Sequence, residues 1–363
     1  MRVCEIDTPA LVVDLDIMEQ NLQRVADYAR NRGLRLRPHT KTHKSIGIGK
    51  RQLQLGAAGL TSAKVSVAEI IAQTGTADLL IAYPIIGRAK LARLTELARR
   101  TRVTVAVDSL FAAQQISDAA QAAQVEIGIL AEVDVGLGRV GVAPGDLAGL
   151  AQSIRKLPNL SLEGITFYPG HIKSLDDAGR SALGSLQRLL GEILESLRLA
   201  DIRPRIVSGG STPTLFHSHE VEGMNEIRPG TYVFNDINTV HSGAATLDQC
   251  AASIHATVVS TTRPGHIIID GGSKTFSSDR ISTATEVTFG HIVEAPGARF
   301  HKMNEEHGYV NLADTGARFQ VGDRVRVIPN HICTAVNMHE QVYGVRGDLV
   351  EEVWRVDARG KLQ

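Results

Sequence analysis

Val125-Glu126-Ile127-Gly128-Ile129-Leu130-Ala131-Glu132-Val133-Asp134-Val135-Gly136-Leu137-Gly138-Arg139 is the stretch on which the reading of the fold turns. Its first eight residues form a largely apolar run of strand length, and charged and glycine residues follow at once. The same alternation recurs along the chain. Strand candidates fall at residues 34–37, 57–61, 78–82, 103–107, 125–132, 162–167, 205–208 and 226–228. Amphipathic stretches lie between them, such as 88–100, with Leu91, Leu94 and Leu97, and 178–199. Eight parallel strands with intervening helices is the count of a (β/α)8, TIM-type barrel. A doubly wound sheet needs fewer strands, and no Gly-x-Gly-x-x-Gly turn follows the first.

Past residue 240 the texture changes. Residues 252–261, 266–270, 286–293, 308–312, 324–328 and 351–356 read as strands divided by Gly and Pro turns, without long helical patterns. The expectation is an α/β protein with two domains, a barrel over 16–238 and an antiparallel β domain made of 1–15 plus 239–363. A length of 363 residues suits that division. With 39 basic and 39 acidic residues the formal charge is zero, so no field of one sign recruits nucleic acid or an anionic membrane. No apolar run is long enough to span a bilayer, and the N-terminus lacks the apolar core of a signal peptide. Cys4, Cys250 and Cys333 form no disulfide framework, which points to the cytoplasm.

Barrel chemistry gathers where strands end. The expected strand ends carry Pro38-His39-Thr40-Lys41-Thr42-His43-Lys44, Glu132 to Arg139, Phe167-Tyr168-Pro169-Gly170-His171, Ser208-Gly209-Gly210-Ser211-Thr212 and Arg228-Pro229-Gly230-Thr231-Tyr232. Ser208, Gly209, Gly210, Ser211 and Thr212 offer backbone N–H groups, two hydroxyls and a following helix start, an anion site where barrels commonly hold phosphate. A plain turn with an N-cap hydroxyl is the alternative. Lys41 is a candidate for imine chemistry if partial desolvation makes its amine nucleophilic; a solvated basic loop is the alternative. In Pro329-Asn330-His331-Ile332-Cys333, residues i and i+2 of a strand face the same way, so His331 and Cys333 can reach one ion, although such a pair also arises by coincidence.

Taken together, the run from Leu36 to Lys44, the run from Val133 to Arg139 and Arg228-Pro229-Gly230-Thr231-Tyr232 resemble the D-threonine aldolase and D-serine dehydratase family, in the expected order over almost the whole chain. The resemblance implies an alanine-racemase-like barrel that binds pyridoxal 5'-phosphate as a Schiff base on Lys41. It also implies that Arg139 meets the cofactor's phenolic oxygen, that Tyr168 lies at the ring, and that Ser208 to Thr212 and Tyr232 hold the phosphate. His331 and Cys333 fall where the family holds a divalent ion; the thiolate favours Zn2+, with Mn2+ the usual partner of an Asp version. His171 resembles a position near the substrate, as a base for its hydroxyl or a hydrogen-bond donor. His39 and His43 are read as packing, Asp236 receives no chemistry, and Cys4 and Cys250 are ordinary small residues.

The reaction this implies is retro-aldol cleavage of a D-β-hydroxy amino acid, of the D-threonine type, to glycine and an aldehyde. A dehydratase acting on D-serine or D-3-hydroxyaspartate uses the same parts. An amino-acid racemase leaves the metal pair idle, and a cofactor carrier needs neither metal nor second domain. Relatives of this fold complete their sites as homodimers, and a homodimer is expected here by analogy.

Overall fold

The computed structural model describes residues 1–282, 287–312 and 315–363. The chain opens on strand β1 (Ala10–Asp14) and helix α1 (Leu15–Asn31). Eight strands follow: β2 (Arg35–Leu36), β3 (Leu60–Ser62), β4 (Asp78–Ile81), β5 (Arg102–Val107), β6 (Ile127–Glu132), β7 (Leu160–Thr166), β8 (Ile206–Gly209) and β9 (Glu226–Ile227). Helices α2 (Ile46–Gln54), α3 (Val65–Ile71), α4 (Arg88–Ala98), α5 (Leu110–Ala123), α6 (Leu147–Ile154) and α7 (Asp177–Leu199) alternate with them. Each of the eight strands overlaps its expected position.

The eight strands form one parallel sheet in the order β2-β9-β8-β7-β6-β5-β4-β3. Its ends meet through a single bridge, His39 to Thr61, so the sheet curls into a barrel. Strands such as β5, Arg-Val-Thr-Val-Ala-Val, are buried beyond their first residue because both faces of a parallel sheet are covered, and β-branched residues suit that setting. Leu80, Leu130 and Ile206 form an apolar cluster shared by β4, β6 and β8. The helices are capped by local chemistry: Ser109 accepts from Ala112 N at the start of α5, and Asp176 from Gly179 N at the start of α7. At Gly164 (φ 151°) a Cβ would lie 1.9 Å from the Ile206 carbonyl oxygen, so β7 and β8 pack only with glycine there.

The second sheet contains β10 (Ala252–Ser260), β11 (His266–Ile269), β14 (Gly290–Ile292), β15 (Arg299–Met303), β16 (Gly308–Asn311), β17 (Arg324–Pro329), β18 (Gln341–Arg346) and β19 (Leu349–Arg355), with β12 (Ile281–Ser282) and β13 (Val287–Thr288) as a separate two-stranded sheet. Strand β1 joins this sheet, antiparallel to β10 and parallel to β18; the other pairs are antiparallel. The expected strand 286–293 appears as β13 and β14, and its first residue, Glu286, lies outside the described residues. Strands β15 and β18 were not expected from the sequence. Short helices α8 (Ile237–His241), α9 (Ser273–Phe276) and α10 (Ile332–Met338) complete the region.

By compactness the chain divides into a barrel unit, Arg24–Lys41, Ile46–Gly230 and Lys361–Gln363, and a β unit, Met1–Gln23, Thr42–Ser45 and Thr231–Gly360. Among the described residues no helix is long and apolar enough to cross a membrane.

Candidate active site

Within the barrel unit the strand ends carry a row of polar residues. Register pairs Glu132 with Thr166, Thr166 with Ser208 and Ser208 with Glu226, and all four are buried. Ser208 Oγ donates to Glu226 Oε1 (2.7 Å) and accepts from Arg228 Nη1, whose Nη2 donates to the Phe167 carbonyl (3.0 Å). Glu226 Oε2 accepts from Arg37 Nε (2.9 Å), and Arg37 pairs with Asp78 at 2.8 Å. Burial pulls the Arg228 guanidinium below its usual range against the carboxylates of Glu226 and Glu132, and burial raises Glu132 against Arg228. Glu132 Oε2 and Thr166 Oγ1 have no hydrogen-bond partner among the described residues.

The exits of β6 and β7 form a second cluster. Asp134 accepts from the backbone N–H groups of Gly136, Leu137 and Gly138, which fixes the loop leading to Arg139. Burial opposes the charged carboxylate, but those hydrogen bonds and His171 outweigh it and hold Asp134 below its usual range. A Cβ on Gly136 would lie 3.4 Å from His171 Cε1, so loop and imidazole are neighbours. His171 Nδ1 is buried without a hydrogen-bond partner among the described residues. The Arg139 guanidinium stands 5.0 Å from the centroid of the Tyr168 ring. The barrel therefore brings Arg139, Tyr168 and His171 together.

Strand β8 ends in the glycine pair. A Cβ on Gly209 would lie 2.4 Å from Phe167 Cζ, and Gly210 has φ 86°. Ser211 Oγ lies 3.0 Å from Thr214 Oγ1, closing the turn over Thr212. Two details differ from expectation. The Ser208 hydroxyl is turned into the Glu226–Arg228 network, because a strand residue in this register faces the barrel interior. The helix that follows is a 3-10 segment, Leu215–Glu220. Lys41 follows the exit of β2 and is exposed. A strand-end lysine, a glycine turn at another strand end and buried polar atoms with no partner among the described residues fit pyridoxal phosphate.

In the β unit, the shared strand face expected for His331 and Cys333 is corrected. Strand β17 stops at Pro329, and Asn330 uses its amide side chain on the carbonyls of Asp279 and Thr288. His331 is the N-cap of α10 and Cys333 lies in its first turn, so the turn of the helix, not strand alternation, brings them together. Asp236, fully buried, organises the pair: Oδ2 lies 3.1 Å from His331 Nδ1 and accepts from Ile332 N (3.0 Å), while Oδ1 accepts from Thr239 N and caps α8. Burial opposes the His331 imidazolium, but Asp236 and the Cys333 sulfur overcome it and hold the group up to about 11. Asp236 is the residue that sequence reasoning missed; an Asp before a short helix signals a cap, not a histidine partner. Among the described residues no group of three or more His, Cys, Asp or Glu is placed to hold a metal. Two donors with a carboxylate behind the histidine nevertheless suit an open site. Tyr232, buried, belongs to this unit.

A curled parallel barrel, a lysine at its first strand end and a separate antiparallel sheet define the alanine-racemase-like class of enzymes. Residues 13–238 match the family of the alanine racemase N-terminal domain, and residues 251–345 the putative serine dehydratase domain. The chain is 34% identical to a 3-hydroxy-D-aspartate aldolase of Paracoccus denitrificans (strain Pd 1222), over 99% of this chain and 94% of that one. A D-threonine aldolase structure from Filomicrobium marinum superposes with a TM-score of 0.94 at 31% identity, covering 100% of this chain and 98% of that one. A Cys-to-Ala mutant of D-threo-3-hydroxyaspartate dehydratase, solved in the metal-free form, gives 0.90 at 28%, covering 98% of each. The chain belongs to the D-threonine aldolase and D-serine dehydratase family of lyases.

Proposed function

We propose that the chain cleaves D-β-hydroxy amino acids of the D-threonine type between Cα and Cβ, giving glycine and an aldehyde, with pyridoxal phosphate and a divalent metal. The observation that carries the metal-dependent reading is the His331–Cys333 pair held by buried Asp236, which a racemase leaves without a task. Bound pyridoxal phosphate supplies an electron sink for the α-carbon. Lys41 carries the cofactor, Gly209 to Thr212 and Tyr232 receive its phosphate, and Arg139 and Tyr168 orient the ring. His331 and Cys333 would hold Zn2+ or Mn2+, which would lower the pKa of a hydroxyl as zinc lowers that of bound water, to about 7. His171, whose Nδ1 has no hydrogen-bond partner among the described residues, takes the proton of the β-hydroxyl. We read the working form as a cytoplasmic homodimer; among the described residues no disulfide joins Cys4, Cys250 or Cys333.

The test is product analysis. Acetaldehyde and glycine in equal amounts from D-threonine, without ammonia, are expected. Ammonia and a keto acid from D-serine or D-3-hydroxyaspartate instead would assign the dehydratase reaction. Loss of optical activity without cleavage would restore the racemase.

A further inference from the structure

Two runs supply the cofactor residues of the barrel unit, one ending at Lys41 and the other at Gly230, and in both the next residue is a threonine of the β unit. Both threonines turn their hydroxyls to the same sulfur. Thr42 Oγ1 lies 3.2 Å from Cys333 Sγ, and Thr231 Oγ1 lies 3.9 Å from it. Thr42 is fully buried and Thr231 nearly so. The next turn of the Thr42 segment is tied down as well: Lys44, in the left-handed region at φ 48°, donates from Nζ to Asn337 Oδ1 of α10 (2.7 Å) and accepts at its carbonyl from Ala358 N. A non-glycine residue at that φ persists only where its surroundings hold it.

We infer that Thr42, with Thr231 as a weaker second, is a positioning residue for the Cys333 thiolate, so that the metal donor is oriented by the residue one peptide bond from the cofactor lysine. The inference rests on the metal reading proposed above. A thiolate bound to a metal is an acceptor only, so the hydroxyl must donate to it. Such a bond fixes the Cys333 rotamer and offsets its charge, as outer partners of metal ligands generally do. Lys44 and Asn337 keep α10 from rotating away from Thr42. At 3.2 Å against 3.9 Å, Thr42 is the dominant contact.

The test uses the cofactor-loaded enzyme and zinc, titrated in competition with a chromophoric chelator. Thr42→Val keeps the shape and removes the donor; Thr42→Ser keeps the donor. Zinc affinity is expected to fall about tenfold or more in Thr42→Val, to return toward wild type in Thr42→Ser, and to fall less in Thr231→Val. Visible absorbance from the link at Lys41 stays at full amplitude in all three, which also reports that the variants fold. Wild-type zinc affinity in Thr42→Val overturns the positioning role alone. A wild type that binds zinc no more tightly than Cys333→Ala overturns the metal reading, and the positioning role with it.

Discussion

Lys41 and Lys44 stand three residues apart, and their surroundings differ. Lys44 is buried, its ammonium is bound to Asn337, and burial lowers its pKa against the pull of the Cys333 sulfur. Lys41 is exposed at a barrel strand end. A covalent link to pyridoxal phosphate needs an amine free to reach the cofactor, so Lys41→Ala should abolish the visible absorbance of the loaded protein. Lys44→Ala should retain it, with any loss confined to metal binding. A visible band that survives Lys41→Ala and vanishes in Lys44→Ala would reverse the assignment. In the sequence both sit in one basic run and only the family resemblance picked Lys41; the physical difference between them, burial and an Asn 293 positions away, comes from the fold.

Among the elements, α10 shows how much a short helix depends on side chains. Its seven residues are too few to stand by propensity, and its N-cap, His331, makes no side-chain cap bond. Asp236 supplies what the cap lacks by accepting from Ile332 N, and it caps α8 with its other oxygen. Asp236→Ala removes both contacts and frees the His331 ring. Stability is expected to fall by about 1–3 kcal/mol, and zinc affinity about 10- to 100-fold. Thermal unfolding and metal titration check the two separately; unchanged zinc affinity would confine Asp236 to capping. The helix was hidden from the sequence because Arg324–Pro329 is strongly strand-like and two residues later the period changes. Strand β15, Arg-Phe-His-Lys-Met, was hidden differently: only Phe300 is buried, so its polar edge character gave no apolar run to read.

For the molecule as a whole, the barrel was legible because eight buried strands leave apolar runs that surface helices do not. The row Glu132, Thr166, Ser208 and Glu226 was not, since it arises from register across four strands of unlike sequence. The seam was equally invisible, and it has a kinetic consequence. Where β2 meets β3, the backbone bonds are Thr40 N to Thr61 O, Thr61 N to Pro38 O and Ala58 N to Leu36 O, and hydroxyls of Thr40, Thr61 and Ser62 stitch between them. Farther round the sheet, β5 and β6 share a four-pair ladder. The staves should therefore part first at the seam, one residue from Lys41, with deuterium entering the Thr40 and Thr61 amides well before those of β5 and β6. Cofactor anchored at Lys41 and at the turn after β8 would act as a hoop around those staves, and loading it should slow exchange at the seam more than anywhere else in the barrel. Uniform exchange rates, or a seam indifferent to loading, would mean that the barrel holds its shape without its cofactor.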